Sequence, residues 1–212
     1  MAARSGMADI ISQVRQLANT GTADYTVGSV SMWSDDQLQT ILDRVRVEVW
    51  DEPVSVVPTV NSGGTTEYKE YRLPRAWWEQ TTGGTAIFYL RDSSGARIGT
   101  ANYTIDYQYG RVSFGADQAG SVRYVTGRSY DVYEAAARVW EQKAAHVADQ
   151  FDFSADGASF KNSQRVAQYL NMARQMRSQS NSGGVSTARL GRNDVNESEW
   201  PESSVRSNRV DF

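Results

Sequence analysis

Three places in this sequence carry residue types that could do chemistry. The first is Trp77-Trp78-Glu79. Paired carboxylates hydrolyse glycosidic bonds, and aromatic faces beside them would suit a sugar, so a cell-wall hydrolase is conceivable here. The spacing fixes no second carboxylate, and surface aromatics in an interface are the preferred reading. The second place is Asp152-Phe153-Ser154-Ala155-Asp156-Gly157. It matches the first half of a calcium loop, with oxygen ligands at the first, third and fifth positions and then glycine. The twelfth position should be a bidentate glutamate but is Ser163. Without that ligand the run reads as a connector between helices with an Asp-Gly turn. The third is His146, the only histidine. A Ser-His-Asp arrangement needs it held against a nucleophile. It falls among alanines in a helical stretch, and 110–115 lacks the spacing of a nucleophile elbow, so a packing or surface role is expected.

The remaining counts narrow the chemistry further. With no cysteine, disulfides, thiolate zinc sites and a cysteine nucleophile are excluded. One histidine excludes a histidine metal cluster. The glycine pairs Gly63-Gly64 and Gly83-Gly84 are not followed by Lys-Ser or Lys-Thr, so no phosphate loop is present. No catalytic residue, metal or cofactor is therefore assigned. Net charge is −3, which does not suit a free nucleic-acid binder. Lys69, Lys143 and Lys161 are the only lysines, and arginine supplies the other cations. The arginine fork suits bidentate pairs at interfaces. Residues 1–7 lead into no apolar segment of a secretory signal, and no apolar run approaches the roughly 18 residues that cross a bilayer.

The elements that would position these residues can be read from periodicity. Ile10, Ile11, Val14 and Leu17 recur at helical spacing and predict a helix over about 8–18. Ser34 and Gln37 form a capping box. The stripe Leu38, Ile41, Leu42, Val45 and Val49 then predicts a helix over about 35–50. From Pro53 to about Gly127 the period becomes two. Tyr103, Ile105 and Tyr107 alternate with polar residues. Val112 with Phe114 marks a second strand, Val122 with Tyr124 a third, and 87–90 another, with a turn at Asp92-Ser93-Ser94-Gly95. Together these suggest an antiparallel meander, with 54–57 and 68–73 as edge strands. Asp131 and Glu134 form a second capping box, opening a helix over about 132–151 whose apolar face carries Val132, Ala136, Val139, Trp140 and Val147. Val166, Tyr169, Leu170, Ala173 and Met176 build a last helix to about Arg177.

The expected fold is α+β: a four-helix bundle with an inserted antiparallel β-meander and an extended C-terminal arm. Residues 1–50 would hold the N-terminal helices, 51–128 the β-rich insertion, 129–178 the C-terminal helices and 179–212 the arm. The arm is rich in Ser, Asn, Gly and Arg and lacks periodicity, so alone it buries too little to offset its ordering entropy. Arg189, Arg192, Trp200, Pro201, Val210 and Phe212 are its candidate partner-binding residues.

Two stretches carry a family resemblance. Ile10-Ile11-Ser12-Gln13-Val14-Arg15-Gln16-Leu17, Ala23-Asp24-Tyr25 and Ser34-Asp35-Asp36-Gln37-Leu38 resemble the N-terminal helical pair of tailed-phage head–tail adaptor proteins. Tyr130-Asp131-Val132-Tyr133-Glu134-Ala135-Ala136-Ala137, Trp140, Lys143-Ala144-Ala145, Phe151-Asp152-Phe153-Ser154-Ala155-Asp156-Gly157 and Ser163-Gln164 resemble the second half of the same proteins. The resemblance spans about 5–50 and 110–180. It implies a non-enzymatic virion subunit of the neck, assembled in the host cytoplasm. The subunit would form a homo-oligomeric ring, usually a dodecamer, that joins the portal protein to a tail-side stopper or tail-completion protein. Genomic DNA would pass through the lumen without specific binding, and no membrane is involved. The arm would reach toward the portal. A tail-completion or baseplate protein that uses its β-rich part for binding is the alternative.

Overall fold

The structure is a computed structural model that describes residues 3–81, 87–148, 153–155, 158–160 and 162–180. Helix α1, Ala8–Ala18, buries Ile10, Ile11, Val14 and Ala18 along one side and ends at Asn19 in the left-handed region (φ 47°). A small hairpin of β1, Thr26–Val27, and β2, Val30–Ser31, comes next. Helix α2, Asp35–Asp43, opens with the expected capping box. Gln37 N donates to Ser34 Oγ (3.4 Å), while Gln37 Oε1 accepts from Ser34 N (3.0 Å) and Trp33 N (2.7 Å). Trp33 before the cap and Leu38 in the first turn are both buried in the same cluster, the arrangement of a hydrophobic staple.

The predicted helix over 35–50 stops at Asp43. Arg46–Pro53 is a strand, β3. Val45 and Val49 fit a helical stripe, but Val45, Val47 and Val49 also alternate, and β-branched residues favour a pleated surface. Tertiary pairing decides between the two: β3 lies antiparallel to β9, Tyr124–Tyr130, with Val49 opposite Gly127. Beyond Val49 the register shifts, so that Trp50 and Asp51 together face Thr126. Asp51 takes φ 46°, and its N–H donates to Thr126 Oγ1 (3.0 Å). This is a β-bulge.

The β-rich part divides into two sheets. One has the order β3-β9-β6, where β6 is Tyr89–Arg91. The other has the order β4-β5-β8-β7, with β4 Ser55–Val60, β5 Thr66–Arg72, β7 Tyr103–Asp106 and β8 Arg111–Phe114. The expected meander is thus broken after its first hairpin. Strand β8 pairs onward with β5, which lies inside its sheet rather than at an edge, and β9 crosses to the other sheet. The loop between them is held to β5, with Tyr68 N donating to Asp117 Oδ1 (2.9 Å) and Gln118 N to Tyr68 O (3.2 Å). That attachment carries the chain away from β8. Inward-facing side chains of both sheets, among them Tyr71, Leu90, Val112, Phe114 and Val125, form one hydrophobic cluster.

A second cluster belongs to the helices. Helix α3, Val132–Ala148, is buried on most sides by Ala135, Ala136, Ala137, Val139 and Trp140. Asp131 Oδ1 caps it, accepting from Tyr133 N (3.1 Å) and Glu134 N (2.9 Å). Helix α4, Asn162–Gln179, packs along α3, and α1 packs on α3 as well. This α1–α3 and α3–α4 packing does not amount to the regular four-helix bundle that the sequence suggested. Helix α4 buries Ala173 and Met176, but Val166 is only half-buried and Leu170 is exposed. The segment between α3 and α4, read as a loop, contains a short hairpin of β10, Phe153–Ala155, and β11, Ala158–Phe160. No helix among the described residues is long and apolar enough to cross a membrane.

Candidate functional site

The structure buries Trp78 and Glu79 and half-buries Trp77, which removes Glu79 as a sugar-site carboxylate and Trp78 as a surface aromatic. Trp78 is 1% exposed and Glu79 is 0% exposed. The backbone around them is stitched to three neighbours. Trp77 N and Trp78 N donate to Gln108 O (3.2 Å) and Tyr107 O (2.9 Å) at the turn after β7. Glu79 N donates to Arg128 O (2.9 Å), and Trp77 O accepts from Tyr130 N (3.0 Å), both on β9. Gln80 N donates to Gly6 O (3.2 Å) in the 3-10 turn before α1. Glycine is required at Gly6 because a Cβ there would run into the Gln80 carbonyl.

The Glu79 carboxylate is fully engaged. Arg4 Nε donates to Oε1 (2.8 Å) and the Tyr130 hydroxyl to Oε2 (2.6 Å), with Arg128 Nη1 at 3.8 Å. The Arg4 guanidinium also reaches Asp43 at the end of α2 (2.6 and 3.1 Å) and donates to the Tyr130 oxygen (3.0 Å). Burial, reinforced by the Glu79 carboxylate, pushes the Tyr130 hydroxyl far above the usual tyrosine range. Hydrogen bonding to Asp43 holds Arg4 charged against the cost of its own burial. This cluster therefore ties the N-terminal segment, the end of α2 and β9 together. A carboxylate so enclosed has no route to a substrate.

His146 is also a packing residue. Its ring stacks on Tyr25 with centroids 4.0 Å apart and planes 9° from parallel. Nearby is a group the sequence reading missed. Lys143 is buried, and its ammonium donates to Ala18 O (3.2 Å) and Asn19 O (2.8 Å), closing the C-terminus of α1, and pairs with Asp24 at 2.9 Å. The signal was available: Lys143 lies on the same helical face as Ala136, Trp140 and Val147. A cation at a helix C-terminus satisfies the last carbonyls and meets the negative end of the helix dipole.

Burial opposes ionisation of Asp24, but the hydrogen bond from Lys143, then the Gly21 N–H, hold its pKa below the usual aspartate value. A lowered folded-state pKa gives stability that is present above the ordinary value, near about 4, and lost as the pH falls through the folded value. Asp24→Asn should therefore reduce the difference in urea midpoint between pH 6 and pH 3. An unchanged difference would show that the Lys143 pair carries none of the acid sensitivity.

Two surface features have no counterpart in the sequence reading. Trp50, at the bulge in β3, is 71% exposed. Around it, Glu48 meets Arg46 (3.0 Å), and Asp51 meets Arg91 (2.9 Å). The other feature is the outer face of the four-stranded sheet, an open concavity of about 520 Å³. The register aligns Ser55, Arg72, Arg111 and Asp106 in one row across the four strands, and Val57, Glu70, Ser113 and Thr104 in the next.

The six candidate residues of the arm, Arg189, Arg192, Trp200, Pro201, Val210 and Phe212, lie outside the described residues, as do Asp152, Asp156 and Gly157 of the half calcium loop. Among the described residues no group of three or more acidic or histidine side chains is placed to hold a metal. Comparison with protein-family models, with curated proteins and with solved structures yields no match.

Proposed function

We propose that this chain is a structural subunit of a tailed-phage neck, a head–tail adaptor that assembles as a ring between portal and tail. The observation that carries the reading is where the chemistry-bearing residues go. Glu79, Trp78, Lys143 and His146 are all spent on packing, while a large aromatic, Trp50, and a row of charged side chains stand on the surface. Such a distribution suits a protein that works by contact. The resemblance in 5–50 and 110–180 supplies the neck, and it falls on the helices and on the strands leading into α3.

In this reading the four helices act as a bundle-like body that meets its neighbours around the ring. A closed ring uses heterologous contacts, one face of a subunit against a different face of the next. Exposed ion pairs contribute only about 0–1 kcal/mol each, so repetition around the ring supplies the avidity. The arm, 179–212 in the sequence reading, docks on the portal, and DNA passes through the lumen.

The test is a truncation. The Ser180 hydroxyl donates to Asp131 Oδ2 (2.7 Å), beside the cap of α3, so the cut belongs after Ser182. Removing 183–212 should leave the thermal unfolding of the remaining body unchanged and lower its retention on purified portal rings at least tenfold. Full retention by the truncated protein would remove the arm from the proposal. Failure of the intact chain to bind portal rings would remove the neck.

A further inference from the structure

We propose that the outer face of the four-stranded sheet docks an acidic, extended polypeptide segment of another chain, taking a carboxylate between Arg72 and Arg111. These two arginines are directly opposite each other on β5 and β8. Like charges so placed repel, and a sheet normally avoids the pairing. Among the described residues neither guanidinium has an ion pair or a hydrogen bond.

The obvious internal partner is turned away. Asp106 is directly opposite Arg111 on β7, but its Oδ1 accepts from Gln108 N and Tyr109 N (both 3.1 Å) and so holds the turn after β7. Tyr71 and Val112, the neighbours of the two arginines along their strands, point into the core, which fixes Arg72 and Arg111 on the outside. The chain thus holds two planar forks side by side over a concavity, and two forks of this kind grip one carboxylate from both sides.

The surroundings favour polypeptide over nucleic acid. Glu70 stands on the same face two residues from Arg72 and directly opposite exposed Val57. A phosphodiester backbone laid along the sheet would bring further negative charge against Glu70. An extended peptide shows only alternate residues to the sheet, so one with a single acid on that face can place it between the arginines and an uncharged residue near Val57. Two of the strand edges are poorer sites. Pro58 occupies β4 and the bulge interrupts β3, and both features obstruct strand addition. This proposal does not depend on the neck reading, and its test needs no virion component.

The experiment uses the full chain and a fluorescein-labelled serine peptide with one central glutamate, read by fluorescence anisotropy at 50 mM and 200 mM salt. The peptide should bind, more weakly at the higher salt, and the Arg72→Gln/Arg111→Gln variant should lose at least tenfold in affinity. Each single glutamine variant should lose less than the double. The double variant should keep the wild-type circular dichroism, since removing two opposed charges relieves repulsion; should it fail to fold, the single variants carry the comparison. Undiminished peptide binding by the variants, absence of binding to the wild type, or tighter binding of a short DNA duplex than of the peptide would each overturn the proposal.

Discussion

Glu79→Ala should lower the free energy of unfolding by about 3 kcal/mol, the low end of the range for removing one partner of a buried ion pair. The low end applies because the Arg4 side chain is 33% exposed, so water recovers part of its solvation. The Tyr130 hydroxyl is worse placed. It sits in a buried site, donating to Glu79 at 2.6 Å, and the variant leaves it without that acceptor. Tyr130→Phe leaves the buried Glu79 Oε2 without its donor while Arg4 still holds Oε1, and should cost about 2 kcal/mol. Because Arg4, Glu79 and Tyr130 share one network, Glu79→Ala combined with Arg4→Ala should cost less than the sum of the two changes. Urea unfolding of these variants beside the wild type measures all of this. A loss under about 1 kcal/mol for Glu79→Ala would show that the cluster is dispensable to the fold.

The second large effect is at the neighbouring residue. Trp78→Ala should cost about 4 kcal/mol, within the range for deleting a buried aromatic side chain. The indole packs edge-on to Phe88 with centroids 5.5 Å apart, and its Nε1 donates to Arg75 O (2.7 Å). It also lies over β9 where Gly127 leaves room; a Cβ at that position would stand 3.1 Å from both the indole and the Phe88 ring. Thermal unfolding of Trp78→Ala against Trp50→Ala separates a core tryptophan from a surface one. Trp50, 71% exposed, should leave the melting temperature nearly unchanged. Equal effects at the two positions would mean that burial of Trp78 does not stabilise the body.

What the sequence reveals of this fold is what local pattern encodes. Helix α1, the capping box at Ser34 and the buried face of α3 each depend on residues a few positions apart, and each forms where expected. The alternation at Tyr103–Asp106 and Arg111–Phe114 likewise yields strands. Ambiguity enters at Val45 and Val49, four apart and therefore consistent with either period, where the distant strand β9 decides the outcome. The same strand explains the broken meander, because its partners, β3 and β6, are remote in sequence and no periodicity names them. Glu79 was hidden for a related reason. Its partners Arg4 and Tyr130 are 75 and 51 positions away, so its sequence neighbours, two tryptophans, suggested a surface site that long-range packing replaces with a core. Lys143 was legible in principle, since a cation on an apolar helical face needs a buried acceptor, and α1 ends beside it.

The irregularities at the sheet margins have a bearing on how the protein behaves in bulk. One margin is interrupted where Trp50 and Asp51 share a single partner, and another carries Pro58, which has no N–H to offer. At these two margins a foreign backbone meets no unbroken template, which hinders strand-to-strand growth there. Association at these margins is left to side chains, which can be selective about what they touch and can stop once their surfaces are covered.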